Sequence, residues 1–153
     1  VRGMMLEETQ RVIAMLVADR DESQSVSDGT ARTSVLCATE NGYGKRTPIT
    51  EYTRHGRGTK GMIAIQQSER NGKVVAATLV RPDDEIMLIT DTGVLVRTRV
   101  SEIRELGRAT QGVTLIALDE GALLIGLQRI VENDAENQGE VPGNEPGPAS
   151  PQE

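Results

Sequence analysis

The chain has 153 residues and a formal net charge of −6, with no Phe or Trp, two Tyr, one Cys, one His and 16 Gly. A core must be assembled from Val, Ile, Leu, Met and Ala. Cys37 alone excludes an internal disulfide framework and suits a reducing compartment, and Cys37 with His55 supplies no metal ligand set. No apolar run approaches the roughly 20 residues of a membrane span, and no signal-peptide pattern is read at the start.

In chain order, Val1-Arg2-Gly3-Met4 reads as a strand entered partway. Ala18 to Thr33 (ADRDESQSVSDGTART) is polar and rich in Ser and Asp, the composition of a surface loop. Ser34-Val35-Leu36-Cys37-Ala38 is an apolar run in which Cys37 reads as a small buried hydrophobe. Ile49–Tyr52 and Val100–Ile103 each suit one helical turn, with Thr50 or Ser101 as cap. Between them the pattern predicts strands at Met62–Gln67, Lys73–Val80, Glu85–Thr90 and Val94–Arg99. Asn71-Gly72, Pro82-Asp83 and Asp91-Thr92-Gly93 punctuate them as turns. Val113–Leu118 and Ala122–Ile130 complete the apolar runs. Residues 133–153 hold four Pro, three Gly and almost no apolar side chains, so they cannot offset their ordering entropy and are expected to be disordered.

The chain repeats itself at an offset of 51. Thr39–Gly61 laid over Thr90–Gly112 gives nine identities in 23 positions, including Gly42 with Gly93, Arg46-Thr47 with Arg97-Thr98, Glu51 with Glu102, and Gly56-Arg57 with Gly107-Arg108. Met62-Ile63-Ala64-Ile65 matches Val113-Thr114-Leu115-Ile116, and Val1–Met4 looks like a third copy. A four-stranded unit of about 50 residues, repeated, is the signature of propeller blades. About two and a half blades are present, fewer than a ring needs, so further blades are expected upstream.

These residues resemble a known family. Ala38-Thr39-Glu40-Asn41-Gly42-Tyr43-Gly44-Lys45-Arg46-Thr47, the link Gly56-Arg57-Gly58-Thr59-Lys60-Gly61, and the stretch Ile89–Ile103 with Gly107–Val113 are similar to the C-terminal domain of the DNA gyrase A subunit. The likeness covers about residues 1–132. It implies an all-β pinwheel of four-stranded antiparallel blades in which each blade lends a strand to its neighbour, spanning residues 1–132, with an acidic tail at 133–153. It implies non-sequence-specific wrapping of duplex DNA in support of ATP-dependent negative supercoiling. The B subunit would be the partner in an A2B2 heterotetramer in the bacterial cytoplasm with the chromosome. Tyr43 and Tyr52 do not match the family's catalytic tyrosine, and its Gln- and Gly-rich basic loop of the first blade is not among these residues. No catalytic residue and no cofactor is therefore expected here; ATP and Mg belong to other domains of the holoenzyme. Two alternatives stay open: the related domain of the A-type chain of topoisomerase IV, and a propeller-like protein-interaction module. Unclosed sheet edges make self-association of the chain plausible.

Wrapping DNA without choosing sequence is a phosphate problem, solved by Lys and Arg spaced along a surface. Bending a site of 20–30 base pairs costs about 1–6 kcal/mol, which several phosphate contacts must offset. The candidates are Lys45, Arg46, Arg97 and Arg99 near strand ends, Arg57, Lys60 and Arg108 in the Gly-flanked links, and Arg54 more weakly. Arg46 and Arg97 have the alternative of pairing with Glu51 and Glu102 inside a blade. The acidic pI is no argument against DNA. Residues 131–153 carry Glu132, Asp134, Glu136, Glu140, Glu145 and Glu153 without a base, leaving 17 acids against 17 bases in residues 1–130. These six negative charges, five of them within 133–153, either compete with DNA for the basic surface or serve only solubility. Competition predicts that deleting residues 133–153 tightens DNA binding at low salt in a titration; unchanged affinity leaves the tail a solubilising segment.

Overall fold

A computed structural model describes residues 1–18 and 33–131. The expected 133–153 tail, and nearly all of the Ala18–Thr33 loop, lie outside the described residues. The described residues are all-β, apart from two single 3-10 turns. They form seven strands: β1 (Ser34–Thr39), β2 (Tyr43–Pro48), β3 (Val74–Val80), β4 (Glu85–Thr90), β5 (Leu95–Arg99), β6 (Val113–Thr114) and β7 (Leu124–Ile130). They build two antiparallel sheets, one ordered β3-β1-β2-β6 and the other β5-β4-β7.

The hairpins β1–β2 and β4–β5 are the two copies of the repeat. Their turns close identically: the Gly42 amide donates to the Thr39 carbonyl at 3.0 Å and the Gly93 amide to the Thr90 carbonyl at 3.1 Å. Both glycines sit at positive φ, 80° and 83°. Each hairpin takes an outer strand from farther along the chain, β3 beside β1 and β7 beside β4, and the registers slip at equivalent places, Ala38/Thr39 and Ile89/Thr90. A slip of this kind bends and twists a strand, so both blades curve alike.

The four runs Met62–Gln67, Lys73–Val80, Glu85–Thr90 and Val94–Arg99 do not form one blade. β3 pairs with β1, and the Arg81–Asp84 turn then carries the chain across to β4 in the other sheet. This is the exchange of strands between blades that the resemblance implies. Met62–Gln67 forms no strand, because no described strand lies beside it; the Gln66 amide donates instead to the Thr110 carbonyl at 2.9 Å. Val113–Leu118 shortens to Val113–Thr114, since the Leu115 and Ile116 amides both turn onto the Gly42 carbonyl. Of Val1–Met4 only Met4 pairs, in an isolated parallel bridge to Thr59. Asn71-Gly72 is a turn but not a hairpin: buried Asn71 bonds the Gln66 and Gln111 carbonyls and the Ser68 amide, stapling one link to the next. The 3-10 turns occupy Ile49–Glu51 and Val100–Glu102, and Thr50 and Ser101 are not their caps. The caps lie two residues earlier, at Pro48 and Arg99, with no side-chain cap bond.

The main core lies between the sheets. Leu36, Ala38 and Val80 of the first face Ile86, Leu88 and Leu124 of the second, with Val100 and Ile103 from the second 3-10 turn. A smaller cluster on the opposite face of the first sheet joins Val35, Cys37, Ile49 and Ile65. Cys37 is buried there, and burial pushes its thiol pKa up.

A charged side chain fastens the second link (Arg104–Gly112) to β2. Lys45, only 1% exposed, donates from Nζ to the carbonyls of Gly107 and Arg108. Arg46 Nε donates to the Ile103 carbonyl at 2.7 Å, the Leu106 amide to the Arg46 carbonyl at 2.9 Å, and Thr47 Oγ1 to the Leu106 carbonyl at 2.7 Å. The link also needs Gly112. At φ 82°, an added Cβ there would fall 2.6 Å from the Gly44 carbonyl oxygen. Burial pushes the Lys45 ammonium pKa down, and two carbonyl acceptors still hold it in place.

Two outcomes follow from this packing. Lys45→Met keeps the volume but removes the donor of the Arg108 carbonyl and leaves the Gly107 carbonyl to the Thr110 hydroxyl. It is expected to cost about 1–3 kcal/mol in chemical denaturation and to speed amide exchange across residues 105–110, which an unchanged exchange pattern would disprove. The Tyr52 Oη is buried, and burial pushes its pKa up to about 12. An unfolded phenol titrates near 10, so the folded state holds its proton longer. This contribution is complete below pH 10 and is lost as pH rises from 10 towards 12. Tyr52→Phe should remove that loss from the stability–pH curve.

Candidate nucleic-acid interface

The eight candidate cations separate into three fates. Lys45 is withdrawn from solvent, and Arg46, with its side chain 16% exposed, is largely so. Neither presents a free charge to a phosphate. Arg46 pairs with Glu105 at 3.7 Å, not with the expected Glu51, because the second link folds over β2 and brings Glu105 closer. Glu51 instead accepts the Arg108 amide at 3.1 Å.

Arg54, Arg57 and Lys60 form an exposed group with His55 on the first link. The link is steadied by the N-terminal segment: the Gly58 amide donates to Gly3 at 2.9 Å and the Met5 amide to Thr59 at 3.0 Å. Lys60 Nζ meets Glu7 Oε1 at 3.2 Å, with both side chains mostly in solvent. An exposed pair of this kind is worth at most about 1 kcal/mol, so a phosphate can replace Glu7. Arg108 is half-buried, with its guanidinium on the Ile63 carbonyl at 3.3 Å.

Arg97 and Arg99 lie on β5 at a second place. They line a cleft of about 640 Å³ together with Arg81 and Arg129, which sequence reasoning missed, and with Asp83, Asp84 and Glu85. Arg97 pairs with Glu85 and not with the expected Glu102, since β5 lies beside β4 in a register that sets Glu85 opposite Arg99. Arg99 reaches Glu85 at 3.7 Å, and Arg129 reaches Asp84 at 3.4 Å. Among the described residues the cleft is lined by four guanidiniums and three carboxylates. The signal for Arg129 was weak because its counterpart in the first sheet, Leu79, is apolar. Arg70, also exposed, is held over the Tyr43 ring at 4.6 Å, and their hydrogen bond lowers the Tyr43 phenol pKa.

Among the described residues, no helix is long and apolar enough to cross a membrane. Basic side chains on two repeated blades can contact a polyanion at several points, but the geometry alone does not name one.

Comparison with known proteins supplies the context. A family model described as DNA gyrase C-terminal domain, beta-propeller, matches residues 33–81 and 84–130. The chain is 48% identical over 139 residues to the DNA gyrase A protein of Neisseria gonorrhoeae, covering 91% of this chain and 14% of that protein. It is 48% identical over 132 residues to the Escherichia coli K12 counterpart, covering 86% and 14%, so the chain spans about a seventh of these curated relatives. A solved gyrase A C-terminal domain superposes with a TM-score of 0.61 at 29% identity, covering 64% of this chain and 33% of that one. The C-terminal domain of DNA topoisomerase IV gives 0.71 at 20% identity, covering 85% and 38%, a likeness of fold alone. With the family model, these relatives and the strand-exchanged sheets in agreement, the chain belongs to the DNA gyrase A C-terminal domain family.

Proposed function

We propose that this chain forms the distal part of a DNA-wrapping surface, and that it supports negative supercoiling by a gyrase whose B subunits and ATP site lie elsewhere. The observation that carries the reading is the pairing of an exposed basic link, Arg54–Lys60, with the arginine-lined cleft at Arg81, Arg97, Arg99 and Arg129, on blades whose strands interlock. A rigid curved frame bearing separated cations is suited to holding bent duplex by its phosphates, with no base-edge reader required. The chain itself carries no cleavage or ATPase chemistry in this reading, and cofactors and Mg act in other domains. In this reading residues 1–132 belong to the pinwheel, the acidic 133–153 segment tunes affinity, and the setting is the bacterial cytoplasm. Identity of 43–53% to gyrase A proteins favours this assignment over a topoisomerase IV one.

The test is a salt titration of duplex binding. Affinity should fall linearly in a log–log plot against salt, with a slope of about −0.9 per phosphate neutralised. Arg54→Gln, Arg57→Gln and Lys60→Gln together should weaken all sequences alike and flatten the slope by about two to three contacts. Arg99→Gln with Arg129→Gln should do the same on a smaller scale. Binding without a salt slope, or loss confined to one sequence, would exclude phosphate recognition and favour a protein-interaction module.

A further inference from the structure

Arg108 is gripped at both ends of its backbone. Its amide donates to Glu51 Oε2 at 3.1 Å. Its carbonyl accepts from the ammonium of buried Lys45, which also holds the Gly107 carbonyl. A carboxylate on a residue's N–H and a cation on its C=O are both charge-assisted bonds, and together they fix the orientation of that stretch of peptide. Its neighbours are tied as well. The Leu106 amide donates to the Arg46 carbonyl at 2.9 Å, and the Thr110 hydroxyl to the Gly107 carbonyl at 3.0 Å. Glu51 stands on firm ground, as the last residue of the 3-10 turn Ile49–Glu51. That turn is rooted by buried Ile49 and closed by the Tyr52 amide on the Ile49 carbonyl at 3.0 Å.

The side chain leaving this fixed backbone is half-buried. Its Nη1 donates to the Ile63 carbonyl at 3.3 Å, at a residue 63% exposed. A guanidinium is a planar fork of several N–H donors, so this one bond orients the group and leaves other donors for an oxyanion. A phosphate contact made from a clamped residue loses less conformational entropy than one made from a loose link.

Charge alone gives Glu51 the opposite effect, since an exposed carboxylate beside such an arginine repels a polyanion. Its hold on the Arg108 amide reverses the sign. The carboxylate also offsets the repulsion between two cations held side by side: burial lowers the Lys45 pKa, Arg108 adds to this and Glu51 opposes it. Resting on the DNA-binding reading above, we propose that Arg108 contacts a backbone phosphate and that Glu51 is its positioning residue, an acid that tightens the hold on a polyanion by fixing the backbone from which the arginine extends.

Duplex titrations of the full chain across a salt series test this, with circular dichroism confirming that each variant is folded. Loss of one phosphate contact weakens binding about eightfold at about 0.1 M salt and lowers the log–log slope by about 0.9, the result expected for Arg108→Gln. Glu51→Ala removes a negative charge and should still weaken binding, by about threefold to eightfold, with a lower slope. Glu51→Gln removes the same charge but keeps an acceptor oxygen at the same reach, so it should restore wild-type or tighter binding. Glu51→Asp keeps the charge and loses the reach; it should weaken binding as the alanine variant does, and it carries the test should that variant fail to fold. Glu51→Ala added to Arg108→Gln should cause no further loss, because both remove one contact. Tighter or unchanged binding by Glu51→Ala, unchanged binding by Glu51→Asp, equal behaviour of the alanine and glutamine variants, or additive losses overturn the positioning role. Salt-dependent binding that Arg108→Gln leaves intact overturns the phosphate contact, makes Arg108 a tie to Ile63 and leaves the Arg54–Lys60 reading standing. A wild-type chain whose binding has no salt slope overturns both.

Discussion

The turn at Arg81–Asp84 directs the rest of the architecture. Asp84 closes it twice, its amide donating to the Arg81 carbonyl at 3.1 Å and its carboxylate accepting the Arg81 amide at 2.8 Å. β3 pairs with β1, and the chain leaving this turn crosses to β4 and begins the second sheet instead of folding back along the free edge of β3. Neither sheet is contiguous in sequence, and each contributes one apolar face to the core between them. A two-stranded hairpin on its own is marginal in water; here each hairpin gains an outer strand and a shared core through the crossing. The arginine cleft forms at the same turn, since Arg81, Asp83 and Asp84 line it.

Charge is divided by neighbourhood more than by residue type. Lys45 and Arg46 are spent on holding the second link against β2, and that link in turn positions Arg108. Arg97 occupies the repeat position of Arg46 but stays half in solvent, because no described link covers β5. Interlocked strands with short ties fix where the remaining cations stand, which lowers the entropy lost when several of them meet one polymer.

The all-β class, the turns at Gly42 and Gly93, and the two 3-10 turns were legible because turn glycines and β-branched runs act locally. The exchange of β3 between sheets was not readable from periodicity, since a strand carries no mark of which neighbour it will join; the resemblance supplied it. Lys45 misled because a lysine beside an arginine reads as surface. The corrective signal was present at offset 51, where its counterpart is Val96, an inward position packed on the core. Arg81 and Arg129 escaped notice for the converse reason, as tertiary pairing gathers them from strands whose counterparts are apolar or uncharged.

The different surroundings of Arg46 and Arg97 bear on how such an array could lengthen. Grafting another blade beyond Ile130 would lay a new link over β5, and the arginine now facing solvent would become an internal tie. The cation exposed at the end of an array would then be that of the newest unit. In a modular protein of this kind, a residue's task is inherited from its place in the queue, and insertion or loss of one module reassigns tasks without changing a single existing side chain.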